Sequence, residues 1–297
     1  MENIDEILAA KPRYVDLLGK EQARKLLALF AAIESGKYEK NEIHTLEING
    51  FPHPLHIRAI RADMQSFVNT FIDPYLEQKA YLSDTRYVID AGANIGYTAI
   101  LFANWWPDCK IISIEPDKEN YDFTLKNVNP YKNITVLHGA LWNKEINLKI
   151  EAGQEDGFVV HEISGSSAAT KSENLTIGFS LGHLLGKFGF PHIDFLKMNI
   201  EGSEKDVFTR NYQSWLPQTK AMLIELHDGK RAGCAKTVFK AIDTYDFAVA
   251  ETAPYGILFV KEDIYRRWYA NWYREEIYKP NISKERFPEF FLDKEPK

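Results

Sequence analysis

The stretch Y-V-I-D-A-G-A-N-I-G, Tyr87 to Gly96, decides how the chain is read. Residues of strand character, Tyr87–Asp90, run into a glycine-bearing turn, and Tyr97–Trp106 then has the character of a helix. Glycine reaches backbone angles closed to other residues and lets a ligand approach the main chain. In open α/β sheets ligands sit beyond the carboxyl ends of strands, so Gly92, Asn94 and Gly96 are placed to cradle a nucleotide-like cofactor.

Working outward, the same alternation continues. Strands are expected at Lys110–Glu115, Ile134–His138, Ile193–Asn199 and Ala221–His227, with helices at Lys118–Val128, Ser203–Asn211 and Arg231–Thr244. Short apolar strands alternating with helices imply a mostly parallel sheet covered on both faces, an α/β fold. Ile146 to Leu185 departs from this rhythm, with β-like pieces at Ile146–Glu151 and Gly157–Glu162 and a Ser/Gly/Asn-rich segment. It reads as an excursion placed to shape a substrate pocket. Phe247–Glu251 and Ile257–Val260 around Pro254-Tyr255-Gly256 read as a terminal hairpin.

The turn discriminates among cofactors. A dinucleotide fingerprint G-x-G-x-x-G needs a middle glycine to admit the pyrophosphate, and G-A-N-I-G lacks it, which disfavours NAD. No G-K-[ST] phosphate loop is present. Asp90 would repel a phosphate and suit the ammonium of a methionine moiety, directly or through water. The next strand ends in Glu115-Pro116-Asp117, about twenty residues past the glycines, where a carboxylate accepts hydrogen bonds from both ribose hydroxyls. These features together point to adenosine without pyrophosphate, that is, S-adenosylmethionine. A NAD-dependent oxidoreductase or epimerase is the enzymatic alternative.

Five pieces in order resemble the FkbM family of S-adenosylmethionine-dependent methyltransferases: V-I-D-A-G-A-N-I-G-Y-T-A (88–99), I-S-I-E-P-D-K-E-N-Y (112–121), N-V-N-P-Y-K-N-I-T-V-L-H-G-A-L-W (127–142), I-D-F-L-K-M-N-I-E-G-S-E-K-D-V-F (193–208) and L-I-E-L-H-D (223–228). The resemblance spans roughly Ala80 to Val260. It implies the class I methyltransferase fold, a seven-stranded Rossmann-like sheet with its last strand antiparallel. It implies methyl transfer, usually to an oxygen of a sugar, polyketide or other secondary metabolite. It also places Ala140 and Leu141, after His138-Gly139, where backbone groups contact adenine. One departure stands out: where many members carry Asp, this chain has Asn199, which cannot act as a general base and is a weaker metal ligand. A fold of this kind that binds but has lost turnover is the non-enzymatic alternative.

The strand ending at Asn199 is expected beside the first strand, which turns Asn199, Glu201 and Gly202 toward the transferred methyl. Ser203 is a candidate helix cap, and Glu204 sits where an acidic residue complements a helix dipole. Glu225 and His227 share a face by alternation. A histidine there can take a proton from an acceptor hydroxyl, with Glu225 orienting the ring. Glu201, Glu225 and His227 with Asn199 form an oxygen-rich group that leaves magnesium open. Nothing in the spacing demands a metal.

Three divisions are expected: an N-terminal accessory region over 1–80, the cofactor-binding domain over 81–262 and an aromatic-rich extension over 263–297. Ile4 to Ile33 has helical spacing split by Pro12. Glu42–Ile48 and Leu55–Ile60 read as a hairpin around Gly50-Phe51-Pro52. A helix over Asp63–Tyr75 follows, with Asp63 as its cap or as a surface partner of Arg61; the alternative is that Arg61 and Asp63 reach over the cofactor or acceptor. In the extension, Tyr265, Trp268, Tyr269, Trp272 and Tyr273 form a helical stripe. It suits packing on the domain, packing on a second subunit of a homodimer, or an aromatic surface for a sugar or lipid-linked acceptor. Arg266, Arg267 and Arg274 leave a membrane-surface role open. Pro280–Lys297 is polar and is expected to be partly disordered.

The formal charge of −6 argues against a protein that grips nucleic-acid backbones. The expected partner is a small-molecule or glycan acceptor. Two cysteines, Cys109 and Cys234, show no disulfide or zinc spacing, and the acidic start M-E-N-I-D-E-I-L does not read as a signal peptide. No apolar run approaches ~20 residues, so stable membrane insertion is not expected and the location reads as cytoplasmic.

Overall fold

The computed structural model describes residues 4–39, 42–72, 82–152, 158–163, 175–253 and 256–272. The strand read from the deciding stretch is β3 (Tyr87–Ala91), and its neighbours set the architecture. With β4 (Lys110–Glu115), β5 (Ile134–His138), β10 (Ile193–Met198), β11 (Thr219–Ile224), β12 (Phe247–Ala253) and β13 (Gly256–Lys261), it forms one seven-stranded sheet. The order is β12-β13-β11-β10-β3-β4-β5, with β13 antiparallel to both of its neighbours and the remaining pairings parallel. This is the class I methyltransferase sheet. The chain order reverses between β3 and β10, the switch point at which such sheets bind ligands.

Alternation along each strand builds two apolar layers. Val88, Ile111, Phe195 and Leu223 face one side, while Ile89, Ile112, Leu196 and Met222 face the other, all of them buried. On the second side lie α6 (Leu181–Phe188) and α8 (Cys234–Ile242). On the first side α4 (Tyr97–Trp105) packs with the N-terminal elements: α1 (Ile4–Ala10), α2 (Arg13–Glu34), the antiparallel hairpin β1 (Ile43–Leu46) and β2 (Leu55–Arg58), and α3 (Arg61–Phe67). Phe30, Phe67, Phe71 and Tyr97 meet edge to face in this layer. The N-terminal residues thus complete the core over α4.

Pro12 divides α1 from α2 as expected, and Gly19 adds a kink inside α2. The Gln22 side-chain amide donates to Glu47 O and accepts from Glu47 N, taking both backbone groups of that residue beyond the end of β1. Helix α3 runs on as a π-helical turn over Val68–Ile72, and the expected remainder to Tyr75 lies outside the described residues. The excursion is a separate four-stranded sheet, in the order β6 (Ala140–Leu141), β9 (Leu175–Phe179), β7 (Ile146–Ala152) and β8 (Phe158–Glu162). Its Ser/Gly/Asn-rich segment, 164–174, lies outside the described residues, as does Gly157.

Several expectations are corrected. The helix read over Ser203–Asn211 is only α7 (Glu204–Val207); the chain leaves it as a turn from Phe208, and Asn211, whose φ is 61°, opens a separate short turn at Tyr212–Ser214. Ser203 makes no side-chain cap bond. Strand β11 stops at Ile224, so Glu225 to His227 are irregular. Asp63 does not cap α3, which begins after Ile60; its carboxylate is wholly buried against Arg58. The C-terminal helix α9 spans Glu262–Trp272 and packs by Ile264 and Tyr265. Tyr273, Arg274 and Pro280–Lys297 fall outside the described residues. No helix among the described residues is long and apolar enough to cross a membrane.

Candidate active site

The turn after β3 is held from both neighbouring strands. Gly92 N and Ala93 N donate to Ile114 O of β4, and Asn199 N donates to Ala91 O. Gly92 has φ 78°, and a Cβ there would lie 1.8 Å from Asn199 O. Only glycine lets the ends of β3 and β10 come this close. Asn94 is also left-handed, at φ 50°, and Gly96 (φ 88°) lets α4 start tightly against α5 (Lys118–Val128) at Thr124 and Val128.

Beneath the turn Lys197, in the middle of apolar β10, reaches Gly92 O at 2.7 Å and Asp90 Oδ1 at 3.2 Å. Both side chains are buried. Asp90 is therefore a neighbour of the turn whose charge answers Lys197. Burial pushes its carboxyl upward, against the pull of that lysine. Sequence reasoning missed Lys197; a lone cation inside the run I-D-F-L-K-M was the available signal.

Glu115 sits where expected. Its Oε2 accepts from Asn94 N at 2.7 Å and its Oε1 from Asp117 N at 2.9 Å. Each carboxylate oxygen keeps a further lone pair for a hydroxyl. Burial lifts this carboxyl to about 8, while the Asp117 and Asn94 amides pull it back. The Asp117 side chain caps α5 through Asn120 N. Arg58, paired to Asp63, also donates to Asn120 Oδ1 at 2.7 Å and so ties the N-terminal hairpin to the cofactor side.

These residues line one cavity of about 720 Å³. Gly92, Asn94, Glu115, Asp117, Ala140 and Leu141, all expected cofactor residues, line it. Asn199 and Glu201 border the same space. Tyr38 and Arg61 from the N-terminal region, and Phe158 and Val160 from the second sheet, close it. Of the pair expected either on the surface or over the cofactor, Arg61 borders this space and Asp63 does not, while Tyr38 had no motif to announce it. His138 turns its ring to Pro116 O, leaving the Ala140–Leu141 segment to face the cavity.

The expected catalytic residues come together. Asn199 Nδ2 donates to Glu225 Oε2 at 2.6 Å. His227 Nε2 lies 3.6 Å from Glu225 Oε1 and 3.8 Å from Glu201 Oε2. Its Nδ1 meets Glu204 Oε1 at 2.8 Å. Lys230 pairs with Glu201. Burial opposes charge on His227, but the hydrogen bond and charge of Glu204, with Glu201 and Glu225, outweigh it and raise its pKa. Burial raises Glu225, helped by Glu201 and Glu204 and opposed by His227 and Lys197. Glu201 itself has φ 58°, a left-handed position that a non-glycine residue occupies at a cost and that clusters at functional sites. Magnesium finds no support: among the described residues no group of three or more His, Cys, Asp or Glu is arranged to hold a metal ion.

Sheet order, the glycine turn and an acidic residue ending the second strand define a class I methyltransferase. A family model described as the methyltransferase FkbM domain matches residues 90–249, more than half of the chain, and the protein belongs to that family. No curated protein matches the sequence. Among solved structures, the chain is similar to a methyltransferase FkbM from Methylobacillus flagellatus, at 18% identity and TM-score 0.38, covering 59% of this chain and 43% of that one. It thus spans less than half of that protein's length. It is also similar to an O-methyltransferase from Bacillus cereus in complex with S-adenosylhomocysteine, at 10% identity and TM-score 0.41, covering 87% of this chain and 100% of that one. A precorrin-6y C5,15-methyltransferase from Geobacter metallireducens matches at 13% identity and TM-score 0.35, over 65% of this chain and 83% of that one.

Proposed function

We propose that the protein transfers a methyl group from S-adenosylmethionine to a hydroxyl of a small-molecule or glycan acceptor, such as a sugar or polyketide. The observation that carries this reading is a single cavity lined by a ribose-type carboxylate, Glu115, together with Asn199 and Glu201. The residues present fit the cofactor. Glu115 has acceptor capacity left for two hydroxyls, and the Gly92 turn offers bare backbone. Ala140 and Leu141 are buried and apolar, as a nucleobase requires. S-adenosylmethionine supplies an electrophilic methyl on a cationic sulfur. Asn199 donates one amide N–H to Glu225, which orients the side chain, and its side-chain oxygen accepts from an acceptor hydroxyl. Glu201, Glu225 and His227 form the group that takes up the released proton. Positioning of the acceptor supplies the rest of the rate. Two buried free thiols, Cys109 and Cys234, support action in the cytoplasm.

Calorimetric titration with S-adenosylhomocysteine, with NAD in parallel, tests the reading. Micromolar binding is expected, with Glu115→Ala weakening it roughly 10- to 100-fold through loss of the hydrogen bonds to the ribose hydroxyls. Tighter binding of NAD, or no loss in the variant, would sink it.

A further inference from the structure

One carboxylate of the catalytic group has a place that its position in the sequence does not explain. Glu204 opens a helix of four residues, where an acidic side chain is ordinarily solvated, yet it is 0% exposed. Its Oε1 accepts from Ile200 N at 3.2 Å and meets His227 Nδ1 at 2.8 Å. A carboxylate accepts and does not donate, so the proton of this contact belongs to Nδ1. That fixes the tautomer and leaves Nε2 as the atom turned toward Glu225 and Glu201. Glu225, the residue expected to orient the ring, already accepts from Asn199 Nδ2 at the shorter distance of 2.6 Å.

We infer that Glu204 is a positioning residue for methyl transfer: it holds His227 by Nδ1 with Nε2 turned toward Glu201 and Glu225. Through Ile200 N–H it also ties the ring to the left-handed turn that carries Glu201. The inference rests on the methyl-transfer reading of this site. The charged groups around the ring come from every element packed there. They are Glu204 of α7, Glu201 of the preceding turn with its partner Lys230, and Glu225 after β11, which in turn feels Lys197 of β10. On the far side of Glu204 lies the Cys234 thiol of α8, held up at about 11 by burial and by the charge of Glu204. Cys234 therefore stays neutral across the working range.

The test is a nitrogen-15 NMR titration of the His227 imidazole in the full chain and in Glu204→Gln and Glu225→Gln, without cofactor. Glutamine keeps an oxygen for Nδ1–H and removes the charge. The wild-type ring is expected to carry its neutral-state proton on Nδ1 and to titrate above the ordinary histidine value. Glu204→Gln lowers that midpoint by about one pH unit or more, and Glu225→Gln by less. In Glu204→Asp the same charge is withdrawn by one methylene, and the Nδ1–H preference is expected to weaken. The pH profile of kcat shifts to lower pH in Glu204→Gln, with affinity for S-adenosylhomocysteine unchanged. An unmoved midpoint in Glu204→Gln, a larger fall in Glu225→Gln, or an unchanged tautomer in Glu204→Asp would overturn the inference. Absence of S-adenosylhomocysteine binding would overturn the methyl-transfer reading instead, because the titration needs neither cofactor nor acceptor.

Discussion

At the residue scale, Gly92 concentrates most in least space. Its φ of 78° and the 1.8 Å between a built Cβ and Asn199 O leave no room for alanine unless the end of β10 moves. Gly92→Ala is expected to cost roughly 3 kcal/mol or more, from left-handed strain and overpacking together. Gly229→Ala, where a Cβ meets nothing within 4 Å and φ is not positive, provides the control and should change little. Urea denaturation of both variants checks this, and a small loss in Gly92→Ala would show that the strand ends yield easily. Gly92, Asn94, Glu115, Asn199 and Glu201, singled out from sequence because a glycine turn and a strand end leave local signatures, meet at one cavity. Sequence alone could not show that Glu201 is left-handed or that Glu204 faces inward. Both depend on how a short turn meets residues about 25 positions further on.

Between elements, the buried pair Asp90–Lys197 joins β3 to β10 beneath the cofactor turn. Breaking a buried pair strands a charge, so Lys197→Met is expected to cost about 3–5 kcal/mol. Asp90→Asn combined with Lys197→Met removes both charges and should recover a substantial part. A double-mutant cycle by chemical denaturation measures the coupling, and purely additive losses would refute it. The parallel strands were legible because each is a short apolar run closed by a turn: β4, β5 and α5 lie at the expected bounds. Less legible were elements whose limits are set by tertiary contact. Helix α7 has four residues instead of nine: Gly202 (φ 100°) turns the chain just before it, and Phe208 to Arg210 leave it as a turn. Asp63 looked like a cap because capping is local. Its real partner, Arg58, lies on the preceding strand and is itself fixed by Asn120 of α5.

Across the whole molecule the site loads the fold with groups that hold protons too tightly. Asp90, Glu115, Glu225 and His227 all titrate above their ordinary values, with Glu115 at about 8. The folded state then binds more protons than the unfolded chain between the ordinary carboxyl range and about pH 8. Stability must fall as pH rises through that window, on the order of a few kcal/mol in all. Asp194 works oppositely: burial raises it, but Lys220 and the Arg86 and Tyr87 amides outweigh that, so its contribution is lost only in acid. The Tm of the ligand-free protein is therefore expected to drop between pH 5.5 and 8.5. A hundredfold excess of S-adenosylhomocysteine over its Kd would restore about 2.7 kcal/mol. A Tm that climbs over this range would contradict the raised values.

The Gln22 amide has a bearing on how copies of this chain behave toward one another. A two-stranded ribbon shows an outer edge whose unpaired backbone groups can template a strand from another chain. At Glu47, just past the end of that edge, both groups are already taken by a side chain of α2. A strand arriving from a neighbouring molecule would have to displace an intramolecular imitation of itself, so ordered polymerisation along this ribbon is checked at its last rung.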